Sequence, residues 1–321
     1  MVVAFSAILG RGGPLEILIM VIPGTIFYEL SRQINSNFSV DVGGSMSIFA
    51  YGGFYGAAIA LVLYFRKQRQ LIQEHPNYRS FKFNAVLAGV GSIFIWVFFP
   101  FLAMDGRAIY FSPYLGAINT IFGIAACVLT TAALDGLIYG KLKVRDLIYS
   151  PIVGGILAAT SSSMATNMLT GIILGLIGSV CVVAFNILDQ KMAANPIFSS
   201  NAALQFGVTG FLGGLAGSVT RAIAGNPQGF DFTSQPEPFD LFDSRAHMAA
   251  AFISVGIGIV TGLVVGLIIS CFSDHEYADN YTDDAYWLKF TDGISDRVHS
   301  PTQEVQIYGK NENLKGQHAY L

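Results

Sequence analysis

Charge is what this sequence has least of. Asp, Glu, Lys and Arg make up 12% of its 321 residues, against about 25% in soluble globular chains. That scarcity excludes an ordinary water-soluble enzyme. The 53% hydrophobic content excludes a disordered chain, which needs low hydrophobicity and high charge. Neither sign dominates. The 18 Lys and Arg face 21 Asp and Glu for a net charge of −3, so no basic surface calls for a nucleic-acid partner. Cysteine is scarce too. Cys127, Cys181 and Cys271 each lie inside an apolar run, and their spacing gives neither a disulfide framework nor a metal set. A buried free thiol behaves as a small hydrophobe. The five histidines are His75, His247, His275, His299 and His318, and none falls in the middle of a long apolar run. No Ser/His/Asp set, paired carboxylates or metal-ligand spacing stands out. The sequence therefore predicts no enzyme, no cofactor and no metal.

Long hydrophobic runs are what the chain has instead. A bilayer crossing takes roughly 20 apolar residues. Eight stretches qualify, at about 14–34, 45–66, 83–104, 114–139, 147–166, 168–188, 203–223 and 248–272. The first is interrupted by Pro23, Glu29 and Arg32. Glycine is abundant at 35 residues, as expected where membrane helices pack closely through small residues. The fold class is all-α, a multi-pass transmembrane bundle of about eight spans. Residues 1–272 form the membrane domain, and the polar segment 273–321 forms a tail on the inner face. Loop charge sets the orientation. Basic residues gather in 66–82 and 140–146, with Lys191 in 189–202, while 224–247 is acidic. The positive-inside rule then puts both termini on the inner side. Glu29 and Arg32 lie three apart on one helix face, which predicts a local ion pair. Asp135 is expected as an interfacial carboxylate near Lys141. Thr160 to Ser163 are expected to hydrogen-bond across helices or to carbonyls.

Several segments carry a family resemblance. DVGGSMSIFAYGGFYGAAIALVLYFRK (41–67) resembles the fifth core helix of the Rhesus branch of the ammonium transporter family, whose pattern is Asp-Ala-Gly-Gly-Ser-Met-Thr-Ile-His-Thr-Phe-Gly. INTIFGIAACVLTTAAL (118–134) resembles the Ala-Ile-Asn-Thr-Tyr and Ala-Ala-Cys-Val-Leu-Thr segment. IWVFFP (95–100) resembles the aromatic-proline run, and GVTGFLGGLAG (207–217) the glycine-rich tenth helix. SAILGRGGPLEILIM (6–20) is similar to the junction of the third and fourth helices, and EYADNYTDDAYW (276–287) is Rh-like. The resemblance runs in collinear order over about 1–290.

The resemblance implies two inverted five-helix repeats around a pore, plus a trailing helix. Mapped onto it, this chain holds the last two helices of the first repeat, the whole second repeat and the trailing helix. The first three core helices are absent, which puts the family's trimer in doubt. Family transport depends on two facing pore histidines. Their equivalents here are Phe49 and Phe206. The inner-gate Phe-Asn pair is Leu102-Ala103. These four positions are expected to be plugged. Asp41, Gly43, Gly44 and Ser45 remain as a structural motif. The residues alone suggest that Asp41 acts as an N-cap-like carboxylate for the N–H groups of the 43–45 turn. The expectation is a non-transporting accessory subunit that braces a larger membrane complex. Its partners would be other membrane subunits, with lipids on the vacated side, and the mitochondrial inner membrane is favoured over the plasma membrane. The alternatives are a channel for neutral ammonia or carbon dioxide, and half of a split ammonium transporter.

Overall fold

The computed structural model describes residues 1–10, 12–37, 39–66, 82–104, 113–162, 168–191, 201–224 and 243–272. The predicted tail 273–321 and most of the charge-bearing loops lie outside these residues. Every regular element among the described residues is helical.

A short N-terminal turn, α1 (Val2–Phe5), precedes α2 (Pro14–Ser36). Gly13 leads into α2 in an extended conformation, and Pro14 takes its first turn, where a missing N–H costs nothing. Pro23 lies within α2 without ending it. The hydroxyls of Tyr51 and Tyr55 donate to the carbonyls of Gly24 (3.0 Å) and Met20 (2.7 Å), tying the next helix to α2 around this proline. Glu29 and Arg32 form the predicted ion pair.

The chain then breaks. A 3-10 turn (Val42–Gly44) leads into a π-helical segment (Ser45–Ala50) and on into α3 (Tyr51–Arg66). Gly43 and Gly44 hold φ of 76° and 70°, the left-handed region that only glycine enters freely. They re-aim the chain into the span that follows. The remaining helices are α4 (Lys82–Leu102), α5 (Pro113–Tyr139), α6 (Val144–Ser162), α7 (Met168–Lys191), α8 (Asn201–Ala224) and α9 (Ser244–Phe272).

The helices α5, α6 and α7 pack against one another, and α4 lies on α6. The helix α8 sits between α6, α3, the π segment and α9, while α2 and α3 both pack on α9. The helices α3 and α8 cross in backbone contact, where a Cβ on Gly207 would lie 3.1 Å from the Gly53 backbone. Helices fill all eight predicted stretches, but six are long and apolar enough to cross a bilayer on their own. The exceptions are α6 and α8. Both run through the interior and bury polar side chains there: Asp146, Ser150, Thr160 and Ser161 on α6, and Gln205, Thr209 and Arg221 on α8. A helix shielded from lipid has no need of apolar residues all round.

Candidate functional site

Phe49 lies on the π segment and stacks on Phe99 of α4, with centroids 5.8 Å apart and planes 19° apart. Phe206 lies in the second turn of α8 and is 9% exposed. It meets Tyr149 of α6 edge-on at 5.5 Å. Both rings belong to one apolar cluster with Ile124, Val153, Ile156 and Leu157. Ala103 is buried in the same cluster. The structure therefore brings together Phe49, Phe206 and Ala103. Leu102 stands apart, 48% exposed on the outer side of α4. The backbone at Phe49 runs against Gly210, one turn beyond Phe206, so the two phenylalanines come from segments that cross. Neither phenylalanine ring gives a cation a lone-pair acceptor.

A polar constellation occupies one end of the bundle. Asp41 Oδ2 accepts from the backbone N–H of Met46 (3.1 Å) and Ser47 (2.7 Å) and from the Ser47 hydroxyl (2.8 Å). The carboxylate does cap the segment, but at 46–47 and not at the predicted 43–45 turn. The reason is the pair of left-handed glycines, which places the first free helical N–H groups further along. Burial pushes the Asp41 carboxyl up from its ordinary range, against the opposing pull of the Ser47 and Met46 donors and the Arg221 charge. The Ser45 hydroxyl donates to the Ile156 carbonyl at 2.6 Å and accepts from Thr160. That bond is one of the predicted interhelical contacts of the 160–163 run. Gly43 packs directly on Ala159.

The sequence reading missed two members of this end. Arg221 is 1% exposed, and its Nη2 donates to the Val40 carbonyl at 2.8 Å. His247 is fully buried, with Nδ1 2.5 Å from the Ser39 hydroxyl. The only available signal was an arginine closing an otherwise uncharged run, since the residues that join α8 to α9 give no spacing that links Arg221 with His247.

The opposite end holds a second set. Asn186 of α7 donates to both oxygens of Asp146 (2.8 and 2.7 Å), and Asp146 lies beside Asp135 of α5. Asp135 is fully buried and accepts from the Lys143 backbone N–H at 3.1 Å, not from Lys141. The tight turn after Gly140 folds residue 143 back over the end of α5. Arg145 pairs with Asp189 at 2.7 Å, and Lys143 Nζ lies 3.2 Å from the Tyr139 ring centre. Along the outer side of α4 and α5, Trp96, Val97, Pro100, Phe101, Met104, Ala117 and Ile121 line an open groove of about 370 Å³.

Known proteins place this arrangement. Bovine (Bos taurus) Ammonium transporter Rh type A is 28% identical over 300 residues, covering 89% of this chain. Ammonium transporter Rh type C of Xenopus laevis is 27% identical over 338 residues, covering 97% of this chain and 69% of its own. The chain spans 65% of the length of the bovine relative. Among solved structures, Nitrosomonas europaea Rh50, described with the mechanism of conduction by the Rhesus protein family of channels, is similar with a TM-score of 0.66. It is 19% identical, and the match covers 99% of this chain and 78% of Rh50. Saccharomyces cerevisiae Mep2 is similar with a TM-score of 0.53 at 17% identity, over 78% of this chain and 59% of its own. The profile of the Ammonium Transporter Family matches residues 1–283, and on that match over most of its length this multi-pass helical membrane protein belongs to the ammonium transporter family.

Proposed function

We propose that this chain passes no ammonium and serves as an accessory subunit within a larger membrane assembly. The observation that carries this reading is the apolar cluster around Phe49 and Phe206. The sequence resemblance aligns these two positions with the family's pore histidines. An imidazole can accept a proton from a substrate and hand it on, whereas a phenyl ring offers no lone pair. Moving an ion of ammonium size into an apolar medium has an idealised cost of order 20 kcal/mol, and several kcal/mol remain after relaxation. Phe99 and Tyr149 cap the two rings, and Ile124, Val153, Ile156 and Leu157 fill the space around them. Neither phenylalanine ring supplies the lone pair that an imidazole would set against that cost. The relatives named as ammonium transporters supply the fold, and the reading departs from them at these two positions.

The outer side of α4 supports the accessory role. Val90, Phe94, Val97, Phe98 and Phe101 are all exposed there, next to the groove shared with α5. In a bilayer such a face meets lipid or a neighbouring helix. The aromatic side chains and the groove give a partner helix van der Waals area, which is what drives association between helices in lipid.

Reconstitution tests the proposal. Liposomes containing the purified chain should take up methylammonium and ammonium no faster than protein-free liposomes. Extraction of the native protein in mild detergent should show it migrating with other membrane subunits. Saturable uptake by the chain alone would overturn the reading, as would migration as a lone chain.

A further inference from the structure

The end of the bundle opposite Asp41 holds a contact that two ionised carboxylates do not make. Asp135, near the end of α5, and Asp146, in the first turn of α6, are 0% and 1% exposed, and their carboxyl groups are hydrogen-bond partners of each other. The other acceptor positions are filled from outside the pair. Asp146 takes the Asn186 amide of α7 on both oxygens, at 2.8 and 2.7 Å, and Asp135 Oδ2 takes the Lys143 backbone N–H at 3.1 Å. Asp135 Oδ1 is buried and receives no N–H or hydroxyl from the described residues. Ionised carboxylates are acceptors only, and two of them buried side by side repel. A hydrogen bond between them requires one proton.

The surrounding groups do not supply a cation in its place. They are Tyr139 on α5, Lys141 and Lys143 in the turn, Arg145 on α6 and Asp189 on α7. Lys141 is exposed. Lys143 Nζ lies over the Tyr139 ring, 3.2 Å from its centre, with no hydrogen-bond partner among the described residues. Arg145 is paired with Asp189. The other helices packed on α6 add nothing, since α4 from 83 to 102 and α8 before Arg221 carry no titratable side chain. Burial, with the charge and hydrogen bond of Asp135, pushes the Asp146 carboxyl up from its ordinary range against the pull of Asn186 and Lys143. We propose that Asp135 and Asp146 hold one proton between them, and that this proton latches the ends of α5, α6 and α7 together until the pH at that end of the bundle rises. With the proton in place, Asp135 Oδ1–H donates to Asp146, and every other donor of the set keeps its acceptor. Loss of the proton to solvent leaves two adjacent buried negative charges. The proposal is independent of the plug at Phe49 and Phe206, because it holds whether or not anything passes between those rings.

A fully ionised pair bridged by Lys143 would keep the same backbone contacts, so the test reads the proton itself. Infrared spectra of the full chain in detergent at about pH 5.5, where free aspartates are ionised, should contain a carboxylic-acid C=O band that shifts in D2O. Asp135→Asn and Asp146→Asn should each remove that band, because an amide N–H then stands where the proton was and the remaining carboxyl is ionised. Asp189→Asn should leave it in place. Melting curves give a second reading. A carboxyl whose pKa is raised by folding stabilises in full below the ordinary aspartate value of about 4 and loses that contribution as the pH rises through the raised value. Between about pH 5 and pH 8 the unmodified chain should therefore lose melting temperature relative to Asp135→Asn, whose amide donates at every pH. If Asp135→Asn cannot be purified, Asp146→Asn carries both readings. No acid band in the unmodified chain, a band undiminished by either substitution, or a melting difference that stays flat across this pH range would overturn the proposal and leave the pair ionised beside Lys143.

Discussion

Asp41 Oδ2 holds three donors, two of them backbone N–H groups at the start of a membrane span. Replacing it with alanine strands the Met46 and Ser47 N–H groups away from water. Each stranded group costs about 1–3 kcal/mol. Asp41→Asn keeps a carbonyl acceptor and loses only the charge. The expected order of thermal stability in detergent is therefore native chain, Asp41→Asn, Asp41→Ala, with the largest gap before Asp41→Ala. Equal losses in both variants would mean that the charge, and not the capping geometry, carries the effect. The capping role was legible in the sequence because an aspartate before Gly-Gly-Ser has few other uses. The residues it caps were not, since that depends on the left-handed turn at Gly43 and Gly44. Arg221 and His247 were not legible as a pair. They lie on different helices, and the segment between them carries no periodic signal.

Two helices approach at the α3–α8 crossing until their backbones touch at Gly53 and Gly207. A side chain there would meet main-chain atoms, which cannot swing aside. Forcing extra volume into such a contact typically costs about 1–3 kcal/mol and occasionally more. Gly207→Leu should lower the melting temperature markedly and shift gel-filtration behaviour towards aggregation. Gly256 is the control, because a Cβ built there meets nothing within 4 Å. Gly256→Ala should leave stability unchanged or raise it by up to about 1 kcal/mol, the helix-propensity difference between the two residues. A similar loss in both variants would refute close packing as the cause. The positions of α3 and α8 were readable from their apolar runs. Which glycines meet was not, because small residues recur along both helices and periodicity does not choose among them. The burial of α6 and α8 was similarly hidden. Their lower apolarity could equally have marked weaker spans, and only the packing shows that neighbouring helices shield them from lipid.

Across the whole molecule, hydropathy located the spans because each long apolar run needs an apolar surrounding, and counting runs needs no tertiary knowledge. Orientation needs a further observable, since a bundle has the same internal contacts either way up. The described basic residues supply it. Arg66, Lys82, Lys141, Lys143, Arg145 and Lys191 lie at helix ends or turns that alternation of the spans collects on one side. At the other side Arg32 is paired with Glu29, Arg221 is buried and Arg245 is exposed in the first turn of α9, so three described basic residues face six. Exposed positive charge is retained on the inner face of a membrane, so we expect the Asp41 end to face outwards. Ser36, exposed at the end of α2, tests this end. Ser80 follows the 42–66 span and should lie on the inner side. In a background with Cys127, Cys181 and Cys271 replaced, Ser36→Cys in intact cells or right-side-out vesicles should react with a membrane-impermeant maleimide. Ser80→Cys should react only after the membrane is opened. Reaction of both cysteines from one side would show that the segment between them does not cross the bilayer. Reaction of Ser80→Cys alone in sealed vesicles would invert the orientation, placing the buried Arg221 and Asp41 at the inner face.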